Sequence, residues 1–556
     1  MPDHPLLPAE LQRSYRERGL WEDTSLMEIL VARATSRPDA PLYLGEESKT
    51  YREVADAAAG FAAALAADGV GRGDTVVAPL VSGWQATVVS AAASALGAVL
   101  APLPSRCSPA QACLLAEVTE APVLVISGRV LTRPGWEEVL ADLGARAPSI
   151  RRVYVADPGA APAWAEAQGH ASVPDACAGA SLADLAAAPR DPTELALLLS
   201  TGGTTGPSKV VMHCEQAIVY AAGRYAQLCG LGSGDVVLSA GPYGHASGTV
   251  FTLYAPIIAG AAVLPLVFWD PARCVREVTR HGVSWGLFTG THIYDLLGLP
   301  EEEVKGLASL RGISAGSGSD ALYLEAERRF GFAIRRMYGL SECLGHALMP
   351  LDAALERRMT RDGLPFEGIE AMILDQAGGE PLGPGEVGEY VVRGPSLFMG
   401  YLGRAELTAE SVHEGGYLRT GDLMSIDDHG CVKYIGRLKD VIRRAGVNID
   451  PMEVERVLIQ HPRIADVSIV GLPDPRLGER AVAAIERVDG APPTLDAIVA
   501  FLSEREVPIQ SHPERLVVVE EIPRTEFGKH NKAKLREQLL AETEQEDDLD
   551  DRNRDQ

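Results

Sequence analysis

The residues that first suggest chemistry are Thr201-Gly-Gly-Thr-Thr-Gly-Pro-Ser-Lys209, entered from Ser200. A loop that holds phosphate needs small residues so that backbone N–H groups can reach the oxygens, hydroxyls that add hydrogen bonds, and a cation that offsets charge. Gly202, Gly203 and Gly206 supply the first, Thr201, Thr204 and Thr205 the second, and Lys209 the third. The Walker spacing Gly-x-x-x-x-Gly-Lys-Ser/Thr is absent. Taken alone, the same residues also suit a flexible Gly/Thr turn.

A phosphate loop has to be held by regular structure, and the apolar run Leu195 to Leu199 predicts a strand that delivers the chain into it. Upstream, Val54, Ala58, Phe61 and Leu65 recur at helical spacing from Tyr51, the pattern ends at Gly69, and Gly-Arg-Gly-Asp leads into the strand-like Thr75-Val-Val-Ala-Pro-Leu. Helical residues 84–97 then precede Ala98-Val-Leu-Ala-Pro-Leu, and helical 109–119 precede Pro122-Val-Leu-Val-Ile. Repeated alternation of this kind predicts an α/β fold. The Ala-, Pro- and Gly-rich stretch from Asp157 to Asp191 reads as a surface excursion. After about Arg437 the texture changes to a compact unit with a strand at Val467-Ser-Ile-Val, a helix near Leu495 to Leu502 and a strand at Leu516 to Val519. The expected organisation is a large N-terminal domain of α/β subdomains over 1–438, a small α+β C-terminal domain over 439–540, and a disordered acidic tail over 541–556.

The 556 residues exceed what one core usually organises, which agrees with more than one domain. A composition of 46% apolar and 23% charged residues is that of a folded protein. The net charge of −25 argues against nucleic acid and against an anionic membrane as partners. Val88 to Leu103 is apolar but too short to span a bilayer, so no stable membrane insertion is expected. The N-terminus carries no secretory pattern, and eight scattered cysteines without a Cys-x-x-Cys pair fit a reduced, cytoplasmic setting. A homodimer is compatible with all of this.

Four further motifs follow the loop in order: Tyr338-Gly-Leu-Ser-Glu342, Tyr417-Leu-Arg-Thr-Gly-Asp422, Gly436-Arg-Leu-Lys-Asp440 and Pro523-Arg-Thr-Glu-Phe-Gly-Lys529. Together they make the chain resemble, over most of its length, the AMP-forming superfamily of acyl- and aryl-CoA synthetases, firefly-type luciferases and peptide-synthetase adenylation domains, on its CoA-ligase-like branch. The resemblance implies a ligase that uses ATP and Mg2+ to turn a carboxylic acid into an acyl-adenylate, then passes it to CoA or to the phosphopantetheine of an acyl carrier protein.

Residue by residue, the resemblance puts Thr204 and the loop on the phosphates and Glu342 on magnesium, a hard cation suited to carboxylate and phosphate oxygens. It puts the Tyr338 ring on adenine, with Gly339 and Ser341 beside it and Ser341 standing where Thr is usual. Gly316 and Ser317 fall in the adenine-side loop, although Ala-Gly-Ser-Gly-Ser departs from the common Gly-Gly-Ala form. Asp422 and Arg437 take the ribose. Lys529 is implied as the catalytic lysine that bridges the acid and the α-phosphate. Lys439 is implied as the hinge on which a mobile C-terminal domain alternates between two poses. The segment Arg443 to Pro451 resembles the lining of the thiol channel, with Gly446 at its narrowest approach.

The acid pocket is implied at Pro242-Tyr-Gly-His-Ala-Ser-Gly248, with His245 as gate and Ala246, Ser247 and Gly248 along it. Gly-His-Ala is similar to short- and medium-chain fatty and alicyclic acid ligases, whereas Gly202 and Ser208 in the phosphate loop are variants shared with aryl-acid activators. The absence of a carboxylate in this stretch disfavours an α-amino acid. Adenylation of an oxyanion such as nitrite for aryl-amine diazotisation, stand-alone aryl-acid loading of a carrier, and a catalytically silent nucleotide-binding regulator are the other readings. Intact Glu342, Asp422, Arg437 and Lys529 argue against the last.

Overall fold

The computed structural model describes residues 6–185, 191–200, 209–316, 318, 320–375, 379–444, 447–488, 490–505, 507–524 and 530–542. Its first α/β units follow from local signals. Tyr51–Ala67 is a helix opened by a capping box, in which the Thr50 hydroxyl and the Glu53 carboxylate each accept from the other's backbone N–H. Its apolar face, from Val54 to Leu65, is fully buried. Gly69, at φ +80°, turns the chain into the buried strand Thr75–Pro79. The helix Trp84–Leu96 ends at Gly97 in the left-handed region and feeds Val99–Leu103.

Thr75–Pro79 pairs in parallel with Val99–Leu103 on one side and Val123–Ile126 on the other, as right-handed crossovers through helices require. These strands lie in an eight-stranded sheet that ends in Leu195–Ser200, Val210–Cys214 and Gly400–Tyr401. The last two pairings are antiparallel. A nine-stranded sheet carries the parallel strands Val236–Ser239, Trp285–Thr289, Gly312–Gly316 and Ala333–Leu340, and a five-stranded antiparallel sheet carries Tyr417–Ile426 and Val432–Arg437. One apolar cluster runs through all three, containing Leu100 and Leu197 from the first, Val237 and Trp285 from the second, and Tyr390 and Met424 from the third.

The remaining sheet, of five strands, lies wholly within residues 442–518 and has cores of its own. Ile449, Val454, Ile469, Ile498 and Leu502 fill one face of it, and Val470, Leu535 and Leu539 the other. The fold is thus mixed α/β, with a large N-terminal domain and a smaller C-terminal one.

The stretch from Asp157 to Asp191 is not a bare surface excursion. Ala171–Ser172 adds an edge strand to the eight-stranded sheet, and Val173 is fully buried. The physical reason is the small residues on both sides. A Cβ at Gly60 would lie 2.5 Å from the Ala180 Cβ, so the helix and this segment pack backbone against backbone. The acidic tail expected at 541–556 lies outside the described residues beyond 542. No helix among the described residues is long and apolar enough to cross a membrane.

Candidate active site

Three of the motif residues meet because of strand register. Asp422 and Arg437 are direct partners in the antiparallel pair Tyr417–Ile426 with Val432–Arg437. Their side chains form an ion pair, Arg437 Nε to Asp422 Oδ1 at 2.8 Å, in which the carboxylate is 1% exposed and the guanidinium 39%. Tyr338, on Ala333–Leu340, donates its hydroxyl to Asp422 Oδ2 at 2.7 Å. Burial first, and the Asp422 carboxylate second, push the Tyr338 phenol far above its usual pKa, so it stays a protonated donor. Burial works against the Arg437 charge, but Asp422 outweighs it and raises that pKa.

The Tyr338 ring is walled by aromatic neighbours. Tyr434 stacks beside it with centroids 6.1 Å apart, while His346 and Tyr390 meet it edge-on. Behind them His346 Nε2 bonds the Tyr390 hydroxyl at 3.0 Å and its Nδ1 faces Cys343 Sγ at 3.1 Å. Burial lowers the His346 pKa to about 4 and pushes the Cys343 thiol well up, so the imidazole stays neutral and the thiol inert. Cys343 is thus a packed residue, fully buried.

Glu342 sits on the turn between Ala333–Leu340 and Leu344–Leu348. The turn is tight. A Cβ at Gly339 would lie 2.2 Å from the Leu344 carbonyl oxygen, and Leu344 itself is held at φ +55°, a conformation that costs a branched residue on the order of 1 kcal/mol. Phe398 N–H donates to the Glu342 carbonyl at 2.8 Å and the Tyr401 hydroxyl to Glu342 Oε1 at 2.8 Å. The preceding carbonyl, of Ser341, accepts from His213 Nε2 at 2.7 Å. His213 is fully buried and its pKa falls to about 4, so it is a neutral donor there.

Lys209 stands one residue before the strand Val210–Cys214 and lays its ammonium over the Tyr401 ring, 4.8 Å from the centroid. The phosphate-loop residues Thr201, Gly202, Gly203, Thr204, Thr205 and Gly206 lie outside the described residues, as does Ser317. Gly316 ends the strand Gly312–Gly316. Lys439 follows the strand of Arg437. Its own surroundings lower its pKa, through loss of solvation first, then through Arg437 and Lys209, with Asp440 and Asp422 opposing.

On the acid side, His245 Nδ1 accepts from the Ser247 backbone N–H at 3.1 Å and faces the Ser247 hydroxyl at 2.9 Å, which places the ring proton on Nε2. The chain packs closely here. A Cβ at Gly248 would come within 2.2 Å of the Pro242 carbonyl oxygen, and one at Gly244 within 2.3 Å of Pro104 N. Ala246 is buried. Residues Ser247–Tyr254 form a π-helix, a widened turn that recurs at functional sites. Its Phe251 reaches the nucleotide side: a Cβ at Gly345 would meet Phe251 Cζ at 2.7 Å and Met337 Cε at 1.9 Å.

Lys529 lies outside the described residues, as does Gly446. The residues on either side of 525–529 are described. Arg524 and His530 form a β-bridge, and both side chains bind Asp466 Oδ2, His530 Nε2 at 2.7 Å. Burial would raise the Asp466 pKa, but the bonds and charges of His530 and Arg524 lower it overall.

Sequence reasoning missed Tyr401, Tyr434, His213 and Asp466. Tyr434 falls just before Gly436-Arg437 and was within reach of that motif. The others meet partners 58 to 190 residues distant, Val211 for Tyr401, Ser341 for His213, and Arg524 and His530 for Asp466, which no local spacing signals.

Comparison with known proteins agrees with this geometry. The profile of the family described as AMP-binding enzyme matches residues 30–402, and that of the AMP-binding enzyme C-terminal domain matches 453–529. The medium-chain fatty-acid–CoA ligase of Escherichia coli strain K12 is 33% identical over 545 residues, covering 96% of this chain and 94% of that protein. The salicyl-AMP ligase / salicyl-S-ArCP synthetase of Mycobacterium tuberculosis is 32% identical over 552 residues, covering 96% and 94%. Among solved structures, ATP-bound MatB from Rhodopseudomonas palustris shares the fold at a TM-score of 0.81 and 24% identity, covering 92% of this chain and 98% of that one. The chain belongs to the AMP-binding enzyme family and is an AMP-forming, acyl-CoA synthetase-like ligase.

Proposed function

We propose that this ligase activates a carboxylic acid with an uncharged body, whether fatty, alicyclic or aryl, and transfers the acyl group to a pantetheine thiol of CoA or of a carrier protein. The carrying observation is the convergence of Tyr338, Asp422 and Arg437 beside a wall without charge: from Tyr243 to Tyr254 there is no carboxylate, ammonium or guanidinium. The curated relatives act, by their names, on both fatty and aryl acids, which supports the breadth of the class.

In the first half-reaction a carboxylate oxygen attacks the α-phosphorus of ATP and pyrophosphate leaves. In the second the thiolate attacks the acyl carbonyl and AMP leaves. We assign the Tyr338 ring to adenine and Asp422 to the ribose hydroxyls. The carboxylate is closed to solvent while Arg437 is 39% exposed, so the sugar would meet the pair from the Arg437 side. Glu342, whose Oε1 accepts from the Tyr401 phenol, suits a hard cation; Mg2+ bound there would supply charge neutralisation to the phosphates. Thr204 and its loop hold the phosphates, Lys209 offsets their charge, and Lys529 stabilises the pentavalent phosphorus. Lys439 is the hinge, at a domain division between 438 and 439.

ATP–pyrophosphate exchange with a panel of fatty, alicyclic and aryl acids tests the reading, followed by mass detection of acyl-CoA and of acylated carrier. Exchange is expected with at least one class. Absence of exchange with every acid would overturn it.

A further inference from the structure

The Tyr401 side chain touches two groups of the proposed phosphate side at once. Its register is fixed by the short strand Gly400–Tyr401, which pairs Tyr401 with Val211 and is flanked by Met399 N–H to Met212 O at 2.6 Å and Leu402 N–H to Val210 O at 2.9 Å. Its own N–H is held by Thr408 Oγ1 at 3.0 Å. Gly400 has to be glycine, since at φ +118° a Cβ would lie 2.9 Å from Thr408 Cγ2. Phe398 packs edge-on at 4.9 Å. The ring is therefore set before any ligand arrives, two residues' pairing away from Lys209.

The geometry points to Tyr401 as a positioning residue: its hydroxyl orients the Glu342 carboxylate for the metal ion, and its ring face holds the Lys209 ammonium beside the phosphates. A carboxylate that binds metal through one oxygen is commonly fixed by a hydrogen bond to the other, and loss of such a bond weakens metal affinity by about 10- to 100-fold. A cation over a tyrosine face is restrained without losing its charge. The two functions use different parts of one side chain and are separable. The inference rests on the reading of Glu342 as the metal carboxylate.

The test uses the full-length protein with ATP at fixed, saturating concentration, and reads Mn2+ affinity by electron paramagnetic resonance beside the Mg2+ dependence of ATP–pyrophosphate exchange. Tyr401→Phe keeps the ring and removes the hydroxyl. It is expected to weaken Mn2+ binding about 10-fold and to shift the Mg2+ activation curve by the same factor, with the rate recovering at high Mg2+. The KM for ATP at saturating Mg2+ is expected to stay within about two-fold, because the Lys209 contact survives, and to rise further in Tyr401→Leu. Glu342→Gln separates the two layers of the argument and also serves if Tyr401→Phe does not fold. If Glu342→Gln leaves Mn2+ affinity unchanged, the reading of Glu342 fails and the Tyr401 inference with it. If Glu342→Gln weakens Mn2+ binding while Tyr401→Phe does not, or if Tyr401→Phe loses exchange at every Mg2+ concentration with Mn2+ affinity intact, the Tyr401 inference alone is overturned. A weaker Mn2+ affinity in Tyr401→Phe, with the double variant no weaker than Glu342→Gln alone, establishes it.

Discussion

The clusters around Asp422 and Asp466 are built by opposite means. Tyr338, Asp422 and Arg437 stand on strands that share one core with most of the N-terminal domain, and the central carboxylate is 1% exposed. Arg524, Asp466 and His530 form a comparable three-part cluster around one carboxylate, but on the face of a smaller sheet, with Arg524 42% exposed. A buried cluster is expensive to rearrange because a separated charge loses both partner and solvent. A half-exposed cluster costs little to move as a unit, since water screens it. The difference suits the proposed ligase, in which the nucleotide geometry would persist through both half-reactions while the C-terminal domain would change pose between them. Where the two parts meet, the Tyr434 hydroxyl reaches Met452 Sδ at 3.7 Å, and Gly436 lies so near Asp450 that a Cβ would come 2.9 Å from Oδ1.

The sharpest way to break this contrast is Lys529→Ala. The lysine is proposed to act only in the adenylating pose, so ATP–pyrophosphate exchange is expected to fall about 10²- to 10³-fold, as for loss of one transition-state donor. Thioester formation from a synthetic acyl-adenylate and CoA is expected to stay within a few-fold. Equal losses in both half-reactions would remove the division of labour.

Asp422→Asn probes the buried side. It keeps shape but removes the charge that Arg437 pairs with and replaces one of the two accepting oxygens by a donating amide. Hydrogen bonds to charged groups are worth about 1.5 to 3 kcal/mol, so the KM for ATP is expected to rise about 10- to 100-fold in the adenylation half-reaction. The midpoint of thermal unfolding is expected to fall as well, because a guanidinium is left beside an amide. A change in kcat alone, with KM for ATP unaltered, would argue that Asp422 does not meet the ribose.

The counterpart in the C-terminal domain is Asp466→Asn. Arg524 and His530 would keep an acceptor but lose its charge, and the β-bridge between them would remain. Exchange is expected to drop about 3- to 10-fold with thioester formation unchanged, in line with a partly screened pair. A loss as large as that of Asp422→Asn would place the loop base among the rigid parts of the site.

What the sequence disclosed follows the same divide. The helices at Tyr51–Ala67 and Trp84–Leu96 and the strands after them were legible because capping boxes, glycine stops and apolar period are local, and the α/β architecture followed from their alternation. Motif order singled out Tyr338, Asp422 and Arg437, which register then brings together. Tyr401 and Asp466 carried no signal, since each matters through a residue far along the chain. The π-helix at Ser247–Tyr254 was equally silent: its i to i+5 bonding depends on the close packing at Gly244 and Gly248 against backbone, not on propensity. The segment from Asp157 misled because small residues that favour loops also allow backbones to pack, as at Gly60 and Ala180.

The smallest expected effect concerns acid. His213, His292 and His346, all in the N-terminal domain, are held neutral by burial with pKa values near 4. In the unfolded chain each returns to about 6.5, so between pH 6.5 and 4 unfolding takes up protons and stability falls as pH falls. The slope approaches about 1.4 kcal/mol per pH unit for each histidine. In the C-terminal domain burial moves Asp450 up, from 3.8 to about 6, which has the opposite sign there: the folded state binds the proton more tightly, and stability rises as pH falls through 6. His461, lowered by burial and by Arg463 and Arg505, opposes it. All six tryptophans precede Lys439, so tryptophan fluorescence follows the N-terminal domain alone while hydrogen exchange reads both. Fluorescence-detected unfolding is expected to shift to lower denaturant from pH 6.5 to 5, with exchange protection of 464–474 changing less. His346→Gln is expected to flatten the fluorescence dependence by about one proton. Equal acid sensitivity of the two domains would show that their charges are buried alike, and the contrast between a rigid nucleotide side and an adjustable partner would lose its electrostatic footing.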